Sequence, residues 1–378
     1  MTRSAAPTPL AHRLTARIRE RGPLTFADYM RECLYDPDHG YYSRAETRRH
    51  ADYYTSVDVH PIFGRLLARQ LAEMWELLGR PPHFHAVEVG AGDGRLAAHI
   101  LDFAARALPE FYSALAYVAV EQSVARRAAH AAALASHVAA GRVPSANELP
   151  AAISAGCIFS NELFDALPVH RVVSEHGALR EIFVGLNGES FCEVEAAPST
   201  PALAAYFAEQ GIALQEGQQG EVCLDACRMM EEFGRRLGRG FVLTVDYGHE
   251  AAELYNDRHM RGTLLAYQQH RASEVFFAAP GEQDLTAHVN FTALDLAGRR
   301  AGLVRAGLVS QSRFLLALGR ANDFADLYDD GQSETDRLRA RLLLKNLIYP
   351  EGLGDTFRVL LQSKGLPAPP HLAGLAPL

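Results

Sequence analysis

The sequence predicts an α/β protein built on a parallel, doubly wound sheet, and three observations carry that reading. Short apolar runs of strand length, at residues 84–89, 115–120, 157–160 and 241–245, alternate with segments of helical periodicity. Each run ends in a polar or glycine-rich group: Gly90-Ala91-Gly92-Asp93-Gly94, Glu121, Asn161 and Asp246. Polar groups at the C-terminal ends of parallel strands mark the working edge of such a sheet. The chain is also 378 residues long, 48% hydrophobic and 22% charged, which is an enzyme-sized globular balance and rules out wholesale disorder.

Taken in order, residues 10–20 form a first helix that Gly22-Pro23 ends, and Thr25-Phe26-Ala27-Asp28 opens a second running to about residue 34. A dense turn follows, Tyr35-Asp36-Pro37-Asp38-His39-Gly40-Tyr41-Tyr42-Ser43. Its Asp-Pro and His-Gly pairs reverse the chain, and its tyrosines indicate a packed loop. A polar stretch over 44–54 leads to Thr55-Ser56-Val57-Asp58. Pro61 then starts a helix whose Phe63, Leu66, Leu67, Leu71, Met74 and Trp75 recur at helical spacing. A helix over 95–107 follows the first strand, and an alanine-rich helix to about residue 140 follows the second.

Residues 169–195 break the rhythm. Apolar runs at 169–173, 179–184 and 191–194 are separated by His176-Gly177 and Asn187-Gly188, both hairpin signals, which predicts an antiparallel insertion. Near the end, 338–348 is helical, Pro350-Glu351-Gly352 turns, and 357–361 is a last strand. The expected organisation is an N-terminal helical or lid region (1–80), a core (81–366) with an inserted hairpin and helical substrate element (169–235), and an irregular tail (367–378).

The net charge of −8 argues against a nucleic-acid partner, and the chain has no apolar run long enough to span a membrane. Five scattered cysteines fit a reducing compartment better than a disulfide framework. Cys223 and Cys227 lack companion ligands, so two small packed side chains are favoured over zinc, and no metal is expected. Five arginines and one acid in the first 22 residues resemble a transit peptide in composition. Arginine, however, supplies nearly all the positive charge of the chain, Lys345 and Lys364 being its only lysines. An ordinary helix is the preferred reading, with a bacterial cytoplasm as the expected location ahead of the mitochondrial matrix.

The chemistry gathers around Glu88-Val89-Gly90-Ala91-Gly92-Asp93-Gly94, which follows a strand and opens a helix. Glycines let the backbone approach a ligand closely. A dinucleotide loop has its third glycine where this chain has Arg95, and Glu88 would repel a pyrophosphate. The same Glu88 suits the ammonium and sulfonium of S-adenosylmethionine. Glu121, at the end of the second strand, is placed to accept both ribose hydroxyls. Asn161-Glu162-Leu163-Phe164-Asp165-Ala166-Leu167-Pro168 puts two acids three apart after a strand. Carboxylates there can orient a guanidinium acceptor and withdraw a proton from it; helix capping by Asn161 is the plainer role. Asp246-Tyr247-Gly248-His249, with Asp284, His288 and His270, adds polar groups expected at the same edge, whereas His83 and His85 read as strand residues.

With these motifs in hand, the chain resembles the MidA-type methyltransferase family. The resemblance runs from about residue 14 to 365 through Gly22-Pro23-Leu24-Thr25-Phe26, the tyrosine turn, Pro61-Ile62-Phe63-Gly64, the Glu88 loop and the Asn161 motif. It continues through Val245-Asp246-Tyr247-Gly248, Gly262-Thr263-Leu264, Asp284-Leu285-Thr286-Ala287-His288-Val289 and Tyr349-Pro350-Glu351-Gly352-Leu353-Gly354. It implies a class I, Rossmann-like, seven-stranded methyltransferase core with an N-terminal helical region and an inserted antiparallel β element. S-adenosyl-L-methionine would be the cofactor and S-adenosyl-L-homocysteine the product. For mitochondrial members it implies dimethylation of an arginine in a complex I subunit. Where the family reads Gly-Asp-Phe-Thr-Ser-Pro-Glu, this chain has Ala51-Asp52-Tyr53-Tyr54-Thr55-Ser56-Val57-Asp58.

The resulting assignment gives Glu162, Asp165, Asp246 and His288 to catalysis, and Thr55, Glu88, Gly90, Gly92, Gly94, Glu121 and Asn161 to the cofactor. A protein substrate and a second copy of the chain are the expected partners. Two other readings stay open: another methyl acceptor, or a complex I assembly factor that binds its client and holds the cofactor as a structural ligand. A nicotinamide-dependent oxidoreductase is disfavoured by Glu88 and Arg95.

Overall fold

The computed structural model describes residues 7–43, 60–141, 143–268, 271–328, 333–349, 356–368 and 370–378. The chain forms two compact units, each assembled from three separate segments.

The larger unit comprises Tyr54–Leu163, Met230–Tyr247 and Asp295–Leu378. It is organised on strands β1 (Phe84–Val89), β2 (Leu115–Val120), β3 (Ser145–Ala146), β4 (Ile153–Asn161), β5 (Leu237–His249), β6 (Val304–Ser310) and β7 (Phe357–Lys364). Their order across the sheet is 3-2-1-4-5-7-6. All neighbours are parallel except β7, which runs antiparallel to both β5 and β6. The chain reverses its direction of travel between β1 and β4, so the ends of these two strands flank the topological switch point where such sheets bind ligands. Apolar side chains on both faces explain why the inner strands read as continuous hydrophobic runs. Leu66 and Leu71 of helix Ile62–Leu77, Ile100 of helix Arg95–Ala107, and Phe84, Phe159, Leu243 and Leu361 of the sheet share one core.

Four features of this unit differ from the sequence expectation. Helix Ile62–Leu77 groups with the sheet, not with the N-terminal region. The alanine-rich helix divides at Leu134 into Val124–Ala133 and Ala135–Ala139. Strand β6 was not foreseen, because a bulge between Arg305 and Gly307 interrupts its alternation. The tail is also tied down: Leu372 is buried, and the Gly374 N–H donates to Gln70 Oε1 at 3.2 Å.

The other unit comprises Met1–Tyr53, Phe164–Met229 and Gly248–Leu294. Helix Pro9–Arg21 starts where Thr8 Oγ1 accepts the Ala11 N–H, and helix Phe26–Tyr35 where Thr25 Oγ1 accepts that of Asp28. The predicted hairpins form strands His170–Glu175, Ala178–Asn187 and Ser190–Ala196. His176 and Gly177 both have positive φ (52° and 73°), as the tightest hairpin turns require. Leu24–Thr25 and Gln219–Val222 join this sheet; a two-residue and a four-residue strand leave no readable alternation. A three-stranded sheet is built from Leu265–Gln268, Arg271–Ser273 and Asp284–Thr286. In the tyrosine turn, Asp36 Oδ1 accepts the N–H groups of Asp38 (3.1 Å) and His39 (2.8 Å), while Asp36 also pairs with Arg13. This turn delivers Tyr41 and Tyr42 into a core with Phe26, Tyr29 and Leu34.

Candidate active site

The loop after β1 is held in a shape that glycine alone adopts easily. Gly90, Gly92 and Gly94 have φ of 78°, 57° and 88°. The Gly90 and Ala91 N–H groups donate to the Val120 carbonyl at 2.9 and 3.0 Å. A Cβ on Gly90 would meet Leu163 Cδ1 at 3.0 Å, whereas one on Gly92 would enter open space. Gly92 therefore keeps a cradle clear for a ligand.

Two side chains from the following elements brace this loop. Glu121 accepts the Gly92 N–H on Oε2 at 2.9 Å and the Ser123 N–H on Oε1 at 2.8 Å. Each oxygen keeps a further lone pair for a ribose hydroxyl. His130, almost fully buried, donates from Nε2 to the Gly92 carbonyl at 2.9 Å, and its Nδ1 lies 2.8 Å from Ser145 Oγ. Because a carbonyl can only accept, Nε2 carries a proton, and Nδ1 and the serine hydroxyl share the second hydrogen bond. His130 escaped the sequence reading: it lies on an alanine-rich helix with no motif around it.

Glu88 is buried and accepts the Tyr117 hydroxyl at 2.6 Å. Burial pushes its carboxyl up to about 8, helped by the nearby Glu121 and Asp93 and opposed by the Tyr117 hydrogen bond. At pH 7 the group is therefore mostly protonated until a cation arrives. Cofactor binding is expected to release close to one proton at pH 7, read as a buffer-dependent binding enthalpy for S-adenosylhomocysteine, and Glu88→Gln should abolish that dependence. The raised value also means that Glu88 favours the folded apoprotein below about 4.5 and progressively loses that contribution as pH rises through about 8. Glu88→Gln should flatten this decline in a pH series of thermal melts.

At the ends of β4 and β5 the polar groups interlock. Asp246, fully buried, accepts the Leu163 N–H on Oδ2 (3.1 Å) and the Tyr247 N–H on Oδ1 (2.9 Å), and so fixes the turn after β4. Within that turn Glu162 is buried at φ 53°, a conformation that a residue with a Cβ adopts at a cost. Its N–H donates to the Val245 carbonyl at 3.0 Å, and its Oε1 accepts from Asn161 Nδ2 at 3.1 Å. Asn161 Oδ1 is a buried acceptor with no hydrogen-bond partner among the described residues. Asn161 ends a strand and caps no helix. An orphaned acceptor, three glycines and the Glu121 lone pairs, grouped at the switch point, fit a ligand rich in hydroxyl and ammonium donors.

The remaining candidates lie in the other unit. Asp165 is buried, and its carbonyl accepts the Ala287 N–H at 3.0 Å. Tyr42 donates to Asp284 Oδ1 at 2.7 Å. Tyr267 pairs in register with Asp284 across neighbouring strands, and its hydroxyl is pushed up by burial and then by the charges of Asp165 and Asp284. His288 stacks near His249 and His259, with ring centroids 5.3 and 6.2 Å away. Burial first, then these two histidines, lower His288 to about 4, so it is neutral at pH 7. Of this group the sequence singled out His249 and His288 and passed over His259. Gly248 sits where a Cβ would overlap the Val289 backbone, which explains the glycine after Asp246-Tyr247. Thr55 and His270 lie outside the described residues. Among the described residues no group of three or more His, Cys, Asp or Glu is arranged to hold a metal ion, and no helix is long and apolar enough to cross a membrane.

A sheet of order 3-2-1-4-5-7-6 carrying E-x-G-x-G-x-G at its switch point defines the Rossmann-like S-adenosylmethionine-dependent methyltransferase class. Comparison with known proteins agrees. The S-adenosyl-L-methionine-dependent methyltransferase family profile matches residues 66–309, and the chain belongs to that family. It is 29% identical to rat "Protein arginine methyltransferase NDUFAF7, mitochondrial", over 93% of this chain and 83% of that protein. The human protein of the same name is 27% identical, over 93% and 82%. A crystal structure of a Burkholderia thailandensis protein bound to S-adenosyl-homocysteine superposes with a TM-score of 0.85 at 31% identity, covering 98% of this chain and 97% of that one. The protein is an S-adenosylmethionine-dependent methyltransferase of the MidA and NDUFAF7 type.

Proposed function

We propose that the protein transfers a methyl group to an arginine of a protein substrate. The observation that carries this reading is the extent of the similarity: relatives named as protein arginine methyltransferases align over 93% of this chain, far beyond the cofactor-binding sheet. When bound, S-adenosylmethionine supplies an electrophilic methyl on a sulfonium. The chain's own residues must then position an acceptor nitrogen and take its proton. In this proposal Gly90, Gly92, Gly94, Glu88, Glu121, Asn161 and Thr55 hold the cofactor, with Asp246 fixing the turn that carries Glu162. Glu162 and Asp165 are the candidate acceptor carboxylates: ionised, either can accept two guanidinium N–H bonds and one released proton. His288, neutral at pH 7, can accept a proton and would not repel the guanidinium.

A complex I subunit is the first client to assay, on the family resemblance read from the sequence, and a bacterial cytoplasm is the proposed location. The test is a proteome comparison between cells with and without the protein. The reading predicts that one or a few methylarginine sites vanish on deletion and return with the wild-type chain but not with Glu162→Gln. An unchanged methylarginine complement in the deletion strain would overturn it.

A further inference from the structure

Both peptide groups that flank the Gly92 Cα are held from outside the loop. Glu121 Oε2 accepts the N–H on one side at 2.9 Å, and His130 Nε2 donates to the carbonyl on the other at 2.9 Å. Fixing the two groups fixes the torsions between them, and Gly92 stays at φ 57°, in the left-handed region. A glycine loses more backbone freedom on ordering than any other residue. At Gly92 that freedom is already removed in the free protein, and a ligand that binds there does not have to remove it.

The two contacts belong to one closed circuit of hydrogen bonds. From Glu121 the circuit continues through its own N–H, which donates to the Ala146 carbonyl at 2.9 Å. Ser145, the neighbouring residue of β3, meets His130 Nδ1 through Oγ at 2.8 Å, and the imidazole returns to Gly92. Glu121 also places the helix that carries this imidazole. Its Oε1 accepts the Ser123 N–H at 2.8 Å, and Ser123 caps helix Val124–Ala133. His130 lies seven residues after the cap, about two helical turns, and so returns to the same face. Gly94 leaves room for it: a Cβ there would lie 3.2 Å from His130 Cδ2. Only 1% of His130 is exposed, so it acts on a ligand through Gly92 and not by contact.

We infer that His130 is a positioning residue for the methyl donor: it closes the circuit that sets the Gly92 peptide in the free protein, and cofactor affinity depends on that closure. Imidazole suits the place because its two nitrogens stand on one rigid plane and serve Ser145 and Gly92 together. The inference rests on the assignment of the Gly90–Gly94 loop to the cofactor and is independent of the methyl acceptor.

The experiment titrates full-length wild type, His130→Gln, His130→Asn and His130→Phe with S-adenosylhomocysteine by calorimetry. Amide hydrogen exchange is followed in each protein, free and bound. Glutamine carries an N–H donor at about the reach of Nε2, asparagine only at about that of Nδ1, and phenylalanine none. Affinity is expected to fall by about 10- to 100-fold in the phenylalanine and asparagine variants and to stay within about threefold of wild type in His130→Gln. Exchange of the Gly92 amide in the free protein should quicken by about tenfold in the same two variants. A packing role alone lowers the melting temperatures and leaves affinity unchanged; that result, or equal weakening by glutamine and asparagine, overturns the inference. If His130→Phe does not fold, the glutamine and asparagine pair decides on the same criterion. The loop assignment fails separately. Binding to wild type that leaves exchange over residues 90–94 unslowed removes the loop from the cofactor site, and the role of His130 with it. Slowed exchange there, with wild-type affinity in His130→Asn, overturns the role of His130 alone.

Discussion

Glu162→Gln is expected to lower methyl transfer by about 10²- to 10³-fold while leaving S-adenosylhomocysteine affinity within about twofold, a range over which a single neutral hydrogen bond is retained. The substitution is isosteric, so Nδ2 of Asn161 still finds an acceptor, and the turn is still pinned by Asp246. What disappears is the negative charge at a buried position held at φ 53°. The backbone is fixed there by the Val245 carbonyl, so the strain is sustained by the ends of β4 and β5 rather than by the side chain. A cofactor titration and a transfer assay on one preparation separate these effects. Parallel loss of both activities would mean that Glu162 shapes the cofactor site instead of serving the acceptor.

The second large effect is expected at Glu121. Its carboxylate accepts two backbone N–H groups, one of them from the open glycine of the loop. Glu121→Ala removes the proposed ribose partner and simultaneously strands the Gly92 and Ser123 donors. Charge-assisted bonds of this kind imply S-adenosylhomocysteine binding weaker by about 100-fold. Glu121→Gln should retain part of the affinity, since an amide oxygen can still accept one of the two N–H groups. A calorimetric titration of both variants checks the order; an alanine variant that binds as tightly as wild type would remove Glu121 from the site.

The sheet was legible because its physics is local. Buried parallel strands have to be apolar on both faces, and the switch point has to be irregular, so runs ending in Gly90, Glu121, Asn161 and Asp246 stood out. The hairpins were legible for the same reason: His176-Gly177 and Asn187-Gly188 supply backbone conformations that few other pairs can. What stayed hidden depends on partners distant in sequence. His130 braces the glycine loop from 38 residues away, and nothing near it in the chain marks it as special. Glu221 reads as an ordinary acid until Thr263, 42 residues on, folds against it. Strand β6 was lost to a bulge at Gly307, and the split at Leu134 cannot be read from alanine, which favours helix throughout. The family motifs flagged Gly262-Thr263 and the tyrosine turn without saying what they were for. The structure supplies the reason in each case: a carboxylate socket, and a turn that buries two tyrosines.

The most direct test of the central claim follows the label itself. Purified protein is incubated with methyl-labelled S-adenosylmethionine and the protein fraction of cells lacking it, and the labelled product is hydrolysed to amino acids. The account predicts label in methylated arginine, with about 10²-fold less when Glu162→Gln replaces the wild type. Label recovered in another amino acid, or no label on protein despite tight cofactor binding, would contradict it.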